Sequence, residues 1–141
     1  MSTPPDKFEA DRRAKLSGIE QLGFDPWGGR FDGHTPIATI RALTVIEDPA
    51  SQPAVRAAGR IMSMRKMGKI RFLDLSDRTG RIQVMIGQKQ VGDKYWALAE
   101  LFDLGDQLAV EGRFGTTKTG ELTIFANQVQ FLGKSLLPHP D

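Results

Sequence analysis

The residues best suited to chemistry lie in one twenty-residue stretch, RKMGKIRFLDLSDRTGRIQV, which begins at Arg65. It combines an aromatic residue, Phe72, with the amide of Gln83 and with further basic residues at Lys69 and Arg81. An aromatic ring can stack on an unpaired base, an amide can both donate and accept at a base edge, and cations bind phosphate. These residue types therefore favour recognition of single-stranded nucleic acid.

A β-hairpin must position these side chains. Alternating apolar and polar residues predict strands at about 69–76 and 81–87, joined by a tight turn at 77–80. The turn reads Asp-Arg-Thr-Gly, and we expect Gly80 to supply a positive φ.

The hydrophobic pattern also specifies the register of this hairpin. If Ser76 pairs with Arg81, one face is wholly aliphatic, whereas a slip of one residue would bury Asp74. The aliphatic face consists of Leu73, Leu75, Ile82 and Val84. Phe72 and Gln83 become diagonal neighbours on the opposite face. That face is either a base-binding surface or a surface on which a helix or loop covers Phe72 and Gln83 is solvated.

Basic residues are concentrated before and within the hairpin. Between Pro49 and Leu73 there are six of them and no acidic residue. They are Arg56, Arg60, Arg65, Lys66, Lys69 and Arg71. The run is compatible with a phosphate-facing patch and equally with a solvated strand edge that blocks unwanted pairing.

Composition excludes several classes of protein. The chain has 141 residues, which suits one domain with a short appendage, and 40% of them are hydrophobic. It has no apolar run near the ~18 residues of a membrane span and no secretory signal. The absence of cysteine excludes disulfides and thiolate metal sites and suits a reducing, cytoplasmic location. The two histidines, His34 and His139, are far apart, so we expect no metal and no catalytic residues.

Helices are predicted on both sides of the strands. Residues 5–23 read as a basic amphipathic helix, and 24–53 as an irregular connection with one helical turn near 36–43. A second helix is predicted over 93–104, with Asp93 as its N-cap and Gly105 as its end.

Three further strands complete the pattern, at about 54–62, 107–116 and 121–132. Gly59 inside the first run predicts a bulge or sharp coil. Five strands with one helix between the third and fourth indicate a mainly β fold, the five-stranded OB-fold Greek-key barrel. In that barrel strands two and three form the ligand-binding face, which agrees with the location of Phe72 and Gln83.

Several motifs resemble the N-terminal anticodon-binding domain of class II lysyl-tRNA synthetases over most of the chain, from about Glu9 to Pro140. They are RRAKLSGIEQLGFDPW, AGRIMSMRKMGK, FLDLSDRTGRIQV, DLGD, TTKTGEL and KSLLPHP. The element Phe-x-Asp-Leu-x-Asp-x-x-Gly-x-x-Gln-Val is shared with aspartyl- and asparaginyl-tRNA synthetases. The Met-Gly-Lys, Thr-Gly-Glu-Leu and Lys-Ser-Leu-x-Pro elements favour the lysyl branch.

The resemblance implies that the OB-fold reads the anticodon of tRNA(Lys), whose bases are splayed onto the barrel. Phe72 would stack on the central uridine, and Gln83 would bind its edge with help from Arg65. Glu121 would accept a hydrogen bond from a neighbouring base, although it could equally be a simple turn residue. The RNA-binding residues expected overall are Phe72, Gln83, Arg65, Glu121, Lys69, Arg81, Arg12, Arg13 and Lys15, the last three along the anticodon stem.

The resemblance also implies a domain organisation and an activity. Residues 1–53 would pack on an OB-fold at 54–134, and 135–141 would begin a linker to a catalytic domain. That domain would bind ATP, Mg²⁺ and lysine in a parent ligase, a homodimer. The chain itself has no catalytic constellation and no cofactor of its own.

Two other hypotheses remain open from the sequence. One is a free-standing OB-fold protein that binds single-stranded RNA or DNA with little sequence preference. The other is a protein-interaction module, whose surface would include Met62, Met64, Met67 and Met85.

Overall fold

The apolar and polar alternation from Ala54 onward forms a closed ring of five strands. The computed structural model describes residues 7–23, 33–46, 48 and 51–133. The strands are β1 (Ala54–Met67), β2 (Ile70–Ser76), β3 (Arg81–Gly87), β4 (Gln107–Thr116) and β5 (Leu122–Gly133). Their order around the barrel is β1-β2-β3-β5-β4, with β1 also paired to β4. The β3–β5 pair is parallel and the other pairs are antiparallel, so the predicted five-stranded OB architecture is confirmed.

The register predicted for the central hairpin is confirmed. Ser76 pairs with Arg81, and Asp74 pairs with Gln83. The aliphatic face lies in the core, where each of its members is at most 1% exposed: Leu73, Leu75, Ile82 and Val84. Because strand side chains alternate between faces, Phe72 and Gln83 point away from the barrel interior.

The turn of this hairpin differs from the prediction, because Gly80 does not have a positive φ. Asp77 shapes the turn instead. Its Oδ1 accepts hydrogen bonds from the backbone N–H groups of Thr79 at 2.7 Å and Gly80 at 3.1 Å. This side-chain bonding closes the loop with ordinary backbone angles, as Asx turns do.

Gly59 allows the backbones of β1 and β2 to approach closely, and the predicted bulge lies elsewhere in β1. The register of β1 against β2 shifts between Ile61 and Ser63. A Cβ on Gly59 would lie 2.4 Å from the carbonyl oxygen of Ser76, which real Cβ atoms do not tolerate. A strand glycine can mark either feature, and here the contact with β2 requires it.

Four helices lie in the described ranges. They are α1 (Lys7–Gln21), α2 (Ile37–Arg41), α3 (Gln88–Val91) and α4 (Asp93–Ala99). The helix predicted over 93–104 therefore ends earlier, and Gly92, not Asp93, occupies its N-cap position. On α1, Leu16 and Ile19 are buried in the core. Of the helices in the described ranges, none is long and apolar enough to cross a membrane.

Parts of the expected domain organisation lie outside the described residues. These are the start of the chain, 24–32 within the connection, and the predicted linker at 135–141.

Candidate nucleic-acid interface

Three side chains from neighbouring strands form a row on the outer surface of the barrel. Phe72 on β2 is the direct partner of Met85 on β3, and Met85 is the partner of Phe125 on β5. All three line one open cavity of about 470 Å³, together with Arg65 and Gln83. We call Phe72, Gln83, Met85 and Phe125 the recognition face. Two half-buried aromatic rings, a flexible thioether and an amide in one groove suit a flat, polar-edged ligand.

Phe72 is partly exposed and carries a cation above its ring. The guanidinium carbon of Arg65 lies 4.9 Å from the ring centroid. The two residues are direct partners in the β1–β2 pair, so the backbone register holds them together. The ring of Phe72 is half-buried and lines the groove.

Gln83 is held in one orientation by a chain of hydrogen bonds. Its Nε2 donates to Oγ1 of Thr123 at 3.0 Å, and that hydroxyl donates to the carbonyl oxygen of Glu121 at 2.9 Å. Thr123 is fully buried, so water cannot compete for its hydroxyl. Because the hydroxyl's hydrogen is committed to Glu121, its oxygen must accept from Gln83. The amide Oε1 and the second N–H of Gln83 therefore remain available to bind a ligand.

Glu121 lies at the tip of the β4–β5 hairpin, immediately before β5. Its carbonyl oxygen also accepts from the backbone N–H of Thr117 at 3.0 Å, and its own N–H donates to the Thr117 hydroxyl at 3.3 Å. Gly120 has φ +86° in this turn, a conformation that glycine adopts without steric cost. The side chain of Glu121 is exposed in this turn.

An acidic side chain, Asp74, lines a smaller cavity of about 290 Å³ that shares Arg65, Phe72 and Gln83 with the groove. Asp74 is the direct partner of Gln83, and its Oδ2 accepts a hydrogen bond from the Ser63 hydroxyl at 2.8 Å. A carboxylate at this point repels phosphate and accepts from N–H donors. This smaller cavity therefore suits a base better than a backbone phosphate.

The run of basic residues in the sequence is not one patch. Arg65, Lys69 and Arg81 are exposed at the hairpin ends and beside the groove. In contrast, Lys66 and Arg71 lie over the ring of Trp96, at 6.0 Å and 5.6 Å from its centroid.

Arg71 differs from the exposed cations in its environment. Burial lowers the pKa of Arg71, and the charge of Glu100 opposes this shift. Strand alternation explains why Arg71 differs from the exposed cations. Arg71 lies two residues before Leu73, so it faces the same side of β2 and is packed beneath α4.

Arg12 requires a correction. It is only 4% exposed, and its Nη1 lies 2.8 Å from Oδ2 of Asp103 and 3.7 Å from Oδ1 of Asp106. Burial lowers the pKa of Arg12, and the charges of Asp106 and Asp11 oppose that shift. A buried arginine that neutralises buried acids cannot also contact RNA, so we assign Arg12 to packing of α1.

The neighbouring cations of α1 differ from Arg12. Lys15 is partly exposed, and its Nζ lies 2.6 Å from Asp103 and 3.5 Å from Asp11. Arg13 is exposed. Of the three cations predicted along the stem, Arg13 is the one whose side chain faces solvent most openly.

Sequence reasoning missed Phe125 and Lys118, which also line the groove. Phe125 lies between the buried residues Ile124 and Ala126, so strict alternation predicts that it faces outward. What the sequence alone did not show is that β5 lies beside β3, which brings Phe125 next to Met85.

Comparison with known families also indicates a nucleic-acid-binding surface. Residues 55–132 match a tRNA anticodon family described as an OB-fold nucleic acid binding domain. The match covers β1 to β5 almost completely, and thus the whole recognition face.

Individual curated proteins are similar over a longer stretch. A lysine–tRNA ligase of Dehalococcoides mccartyi is 36% identical over 98% of this chain and 28% of its own length. One of Enterococcus faecalis is 38% identical over 92% of this chain and 27% of its own length. Lysine–tRNA ligase 2 of Methanosarcina acetivorans is 39% identical over 95% of this chain and 26% of its own length. This confirms the resemblance to lysyl-tRNA synthetases, and the chain spans little more than a quarter of these relatives.

Proposed function

Because this chain belongs to the family of OB-fold nucleic acid binding domains and is similar to lysine–tRNA ligases, we propose that it binds the anticodon of tRNA(Lys). The hydrogen-bonded chain from Gln83 through Thr123 to Glu121 is the observation that carries this proposal. It is a fixed, partly exposed amide beside an accessible aromatic ring, and such a pair can recognise one unstacked base.

The central base of the anticodon stacks on Phe72 in this proposal. Arg65 occupies the space above the ring in the free protein. A cation–π contact at an exposed site is worth about 0.5–1 kcal/mol, and stacking of a base on an aromatic side chain about 1–3 kcal/mol. The base can therefore displace the guanidinium, which remains close enough to donate to a base carbonyl or a phosphate.

Gln83 then reads the edge of that base. Uracil presents an N3–H donor flanked by carbonyl acceptors, whereas cytosine presents an acceptor at N3 and an amino donor at N4. The amide Oε1 accepts from N3–H of uracil, and the remaining amide N–H donates to a carbonyl. To bind cytosine in the same position and orientation the amide must rotate, which breaks its bond to Thr123. Uridine is therefore preferred.

Charged residues around the groove complete the binding site. Glu121 accepts from a base next to the central one, which penalises bases with no donor at that point. Lys69 and Arg81 attract the phosphates of the loop, and Arg13 and Lys15 attract those of the stem. Arg12 is excluded because it is buried in ion pairs with Asp103 and Asp106.

We extend the proposal to the ligase activity of the relatives only in its general features. This chain matches 28% or less of three relatives named lysine–tRNA ligases. We propose that ATP, Mg²⁺ and lysine bind in a catalytic domain that corresponds to the unmatched part, within a homodimeric ligase. In that enzyme the 141 residues bind the anticodon and do not perform the chemical step.

Fluorescence anisotropy with a labelled lysine anticodon stem-loop tests the proposal at fixed, near-physiological salt. The control RNA is the same stem-loop with cytidine in place of the central uridine. We expect the uridine loop to bind about tenfold more tightly, since one correct hydrogen-bonded pair discriminates by roughly 1–3 kcal/mol. Phe72→Ala should weaken binding of both loops, and Gln83→Ala should abolish the difference between them.

The alternative function gives a different result. A generic OB-fold protein would bind both stem-loops and a charge-matched oligonucleotide with equal affinity, because stacking and phosphate contacts do not read base edges. Equal affinities would reject the anticodon proposal in favour of this alternative. If Phe72→Ala left RNA affinity unchanged, the protein-interaction hypothesis would be preferred.

A further inference from the structure

We propose that Phe125 is a second base-stacking platform and that the cavity beyond it binds the nucleotide next to the one on Phe72. This inference rests on the proposed RNA-binding function. Phe125 lines the groove of the recognition face and also an adjoining cavity of about 690 Å³. Both cavities are also lined by Met85 and Lys118, so they form one continuous path over the barrel.

The spacing of the two rings requires two different bases. Phe72 and Phe125 are separated by one strand, with Met85 as the direct partner of both. Neighbouring strands lie about 4.8 Å apart, so the two positions are about 10 Å apart. Stacked planes lie only about 3.4 Å apart, and a single base between the rings would therefore leave one of them uncovered. Each ring instead supports its own base, with the flexible side chain of Met85 between them.

The lining of the second cavity has the chemistry of a nucleotide site. Arg113 and Lys118 supply positive charge, and Asn127 and Gln90 supply amide donors and acceptors. Among the described residues that line this cavity, none is acidic. The smaller cavity of about 290 Å³ differs, because Asp74 lines it together with Phe72 and Gln83. A site with an aromatic wall, amides and two cations can hold base and phosphate together.

Backbone pairing fixes the cations beside the second platform. Arg113 on β4 is the direct partner of Phe125, and its Nη1 donates to the carbonyl oxygen of Gln52 at 2.9 Å. This bond uses one of five guanidinium N–H groups, and the others can bind phosphate. Lys118 lies in the β4–β5 turn, where its ammonium can reach both cavities.

A double-mutant cycle with abasic nucleotides tests the second platform. The 141-residue chain and its Phe125→Ala and Phe125→Leu variants are titrated with anticodon stem-loops that lack one base at a time. For the wild-type chain, removal of a base next to the central one should weaken binding roughly fivefold or more. With Phe125→Ala that same removal should have no further effect, whereas removal of the central base should keep its full effect. Phe125→Leu, which keeps an apolar side chain without an aromatic face, should behave like Phe125→Ala.

The controls separate stacking from damage to the barrel. Leu104 is 45% exposed and lines neither cavity, and Leu104→Ala should bind every loop like the wild-type chain. Thermal unfolding should show that the Phe125 variants remain folded. A loss of affinity that is equal for every abasic loop, or no loss, would overturn the platform. If the wild-type chain ignored the identity of the central base, the anticodon proposal would fail, while the same cycle would still support or overturn Phe125.

Discussion

The recognition face and the packing of α1 use the same kinds of side chain for opposite purposes. Beside the face, Arg65 is exposed and its guanidinium carbon lies 4.9 Å from the centroid of the Phe72 ring. At the helix, the docking cluster of Arg12, Lys15, Asp103 and Asp106 is an ion-paired group. Asp106 is fully buried there, and its Oδ2 also accepts from the backbone N–H of Asp103 at 2.8 Å.

The comparison teaches that burial, and not charge, separates a binding residue from a structural one. A buried guanidinium contributes to folding because its loss leaves buried carboxylates without a partner. An exposed guanidinium contributes little to folding and is available to a ligand. Substitutions in the two regions should therefore change different measured quantities.

The largest effect is expected in the docking cluster. Arg12→Met keeps an apolar stem but removes the buried cation beside Asp106, whereas Asp103 keeps its contact with Lys15. The free energy of unfolding should fall by about 3–5 kcal/mol, as for other broken buried ion pairs. Urea denaturation followed by circular dichroism measures it. The matched control is Arg13→Met on the exposed neighbouring residue, and an equal effect of the two substitutions would contradict the structural role of Arg12.

The next effect is expected on the face, at the residue that orients Gln83. Thr123→Val is nearly isosteric but removes the hydroxyl that accepts from Gln83. Discrimination between the uridine and cytidine stem-loops should fall roughly tenfold, the value of one well-placed hydrogen bond. Thr123→Ser keeps the hydroxyl and should keep the discrimination. If valine and serine variants discriminated alike, the amide would be oriented by something other than Thr123.

A smaller effect is expected at the hairpin turn, where Asp77 is held by the fold. Partial burial opposes its ionisation, but hydrogen bonds from the Thr79 side chain and from the N–H groups of Ile37, Thr79 and Gly80 lower its pKa on balance. A lowered folded pKa gives stability that is present above the unfolded carboxyl pKa of about 4 and is lost as pH falls through the folded pKa.

Asp77→Asn tests this pH dependence. At pH 7 the variant should be less stable by about 1 kcal/mol, the usual value of a capping carboxylate, because Oδ2 bonds the first N–H of α2 at 2.9 Å. The difference should shrink as the pH is lowered below about 4. A difference that stayed constant down to pH 2 would show that the charge of Asp77 is irrelevant.

The smallest effect is expected for a single cation beside the face. Lys118→Ala should reduce the slope of log affinity against log salt by about 0.7, the value of one phosphate contact on a single strand. The matched control is Lys94→Ala. The Lys94 side chain lies near the end of α1, where its Nζ would be 3.9 Å from a Cβ placed on Gly23. Equal slopes for the two variants would remove Lys118 from the RNA path.

The sequence by itself determined the strands and the register of the central hairpin. Alternation requires Leu73 and Leu75 to face the core, and a single slip would bury Asp74, so one register has far lower free energy than its neighbours. The same alternation placed Phe72 and Gln83 together on the outer face. These constraints involve residues close in sequence, so the alternation of apolar and polar residues is sufficient to predict them.

Only the tertiary structure decided what lies against that hairpin. The parallel pairing of β3 with β5 joins residues about forty positions apart, which brought Thr123 to Gln83 and Phe125 to Met85. Docking of α1 against the segment after α4 buried Arg12, which sequence reasoning had assigned to RNA. It was also the geometry of Asp77, and not a glycine φ, that shaped the turn. Long-range contacts decide burial, and no local periodicity records which strand or helix will be the neighbour.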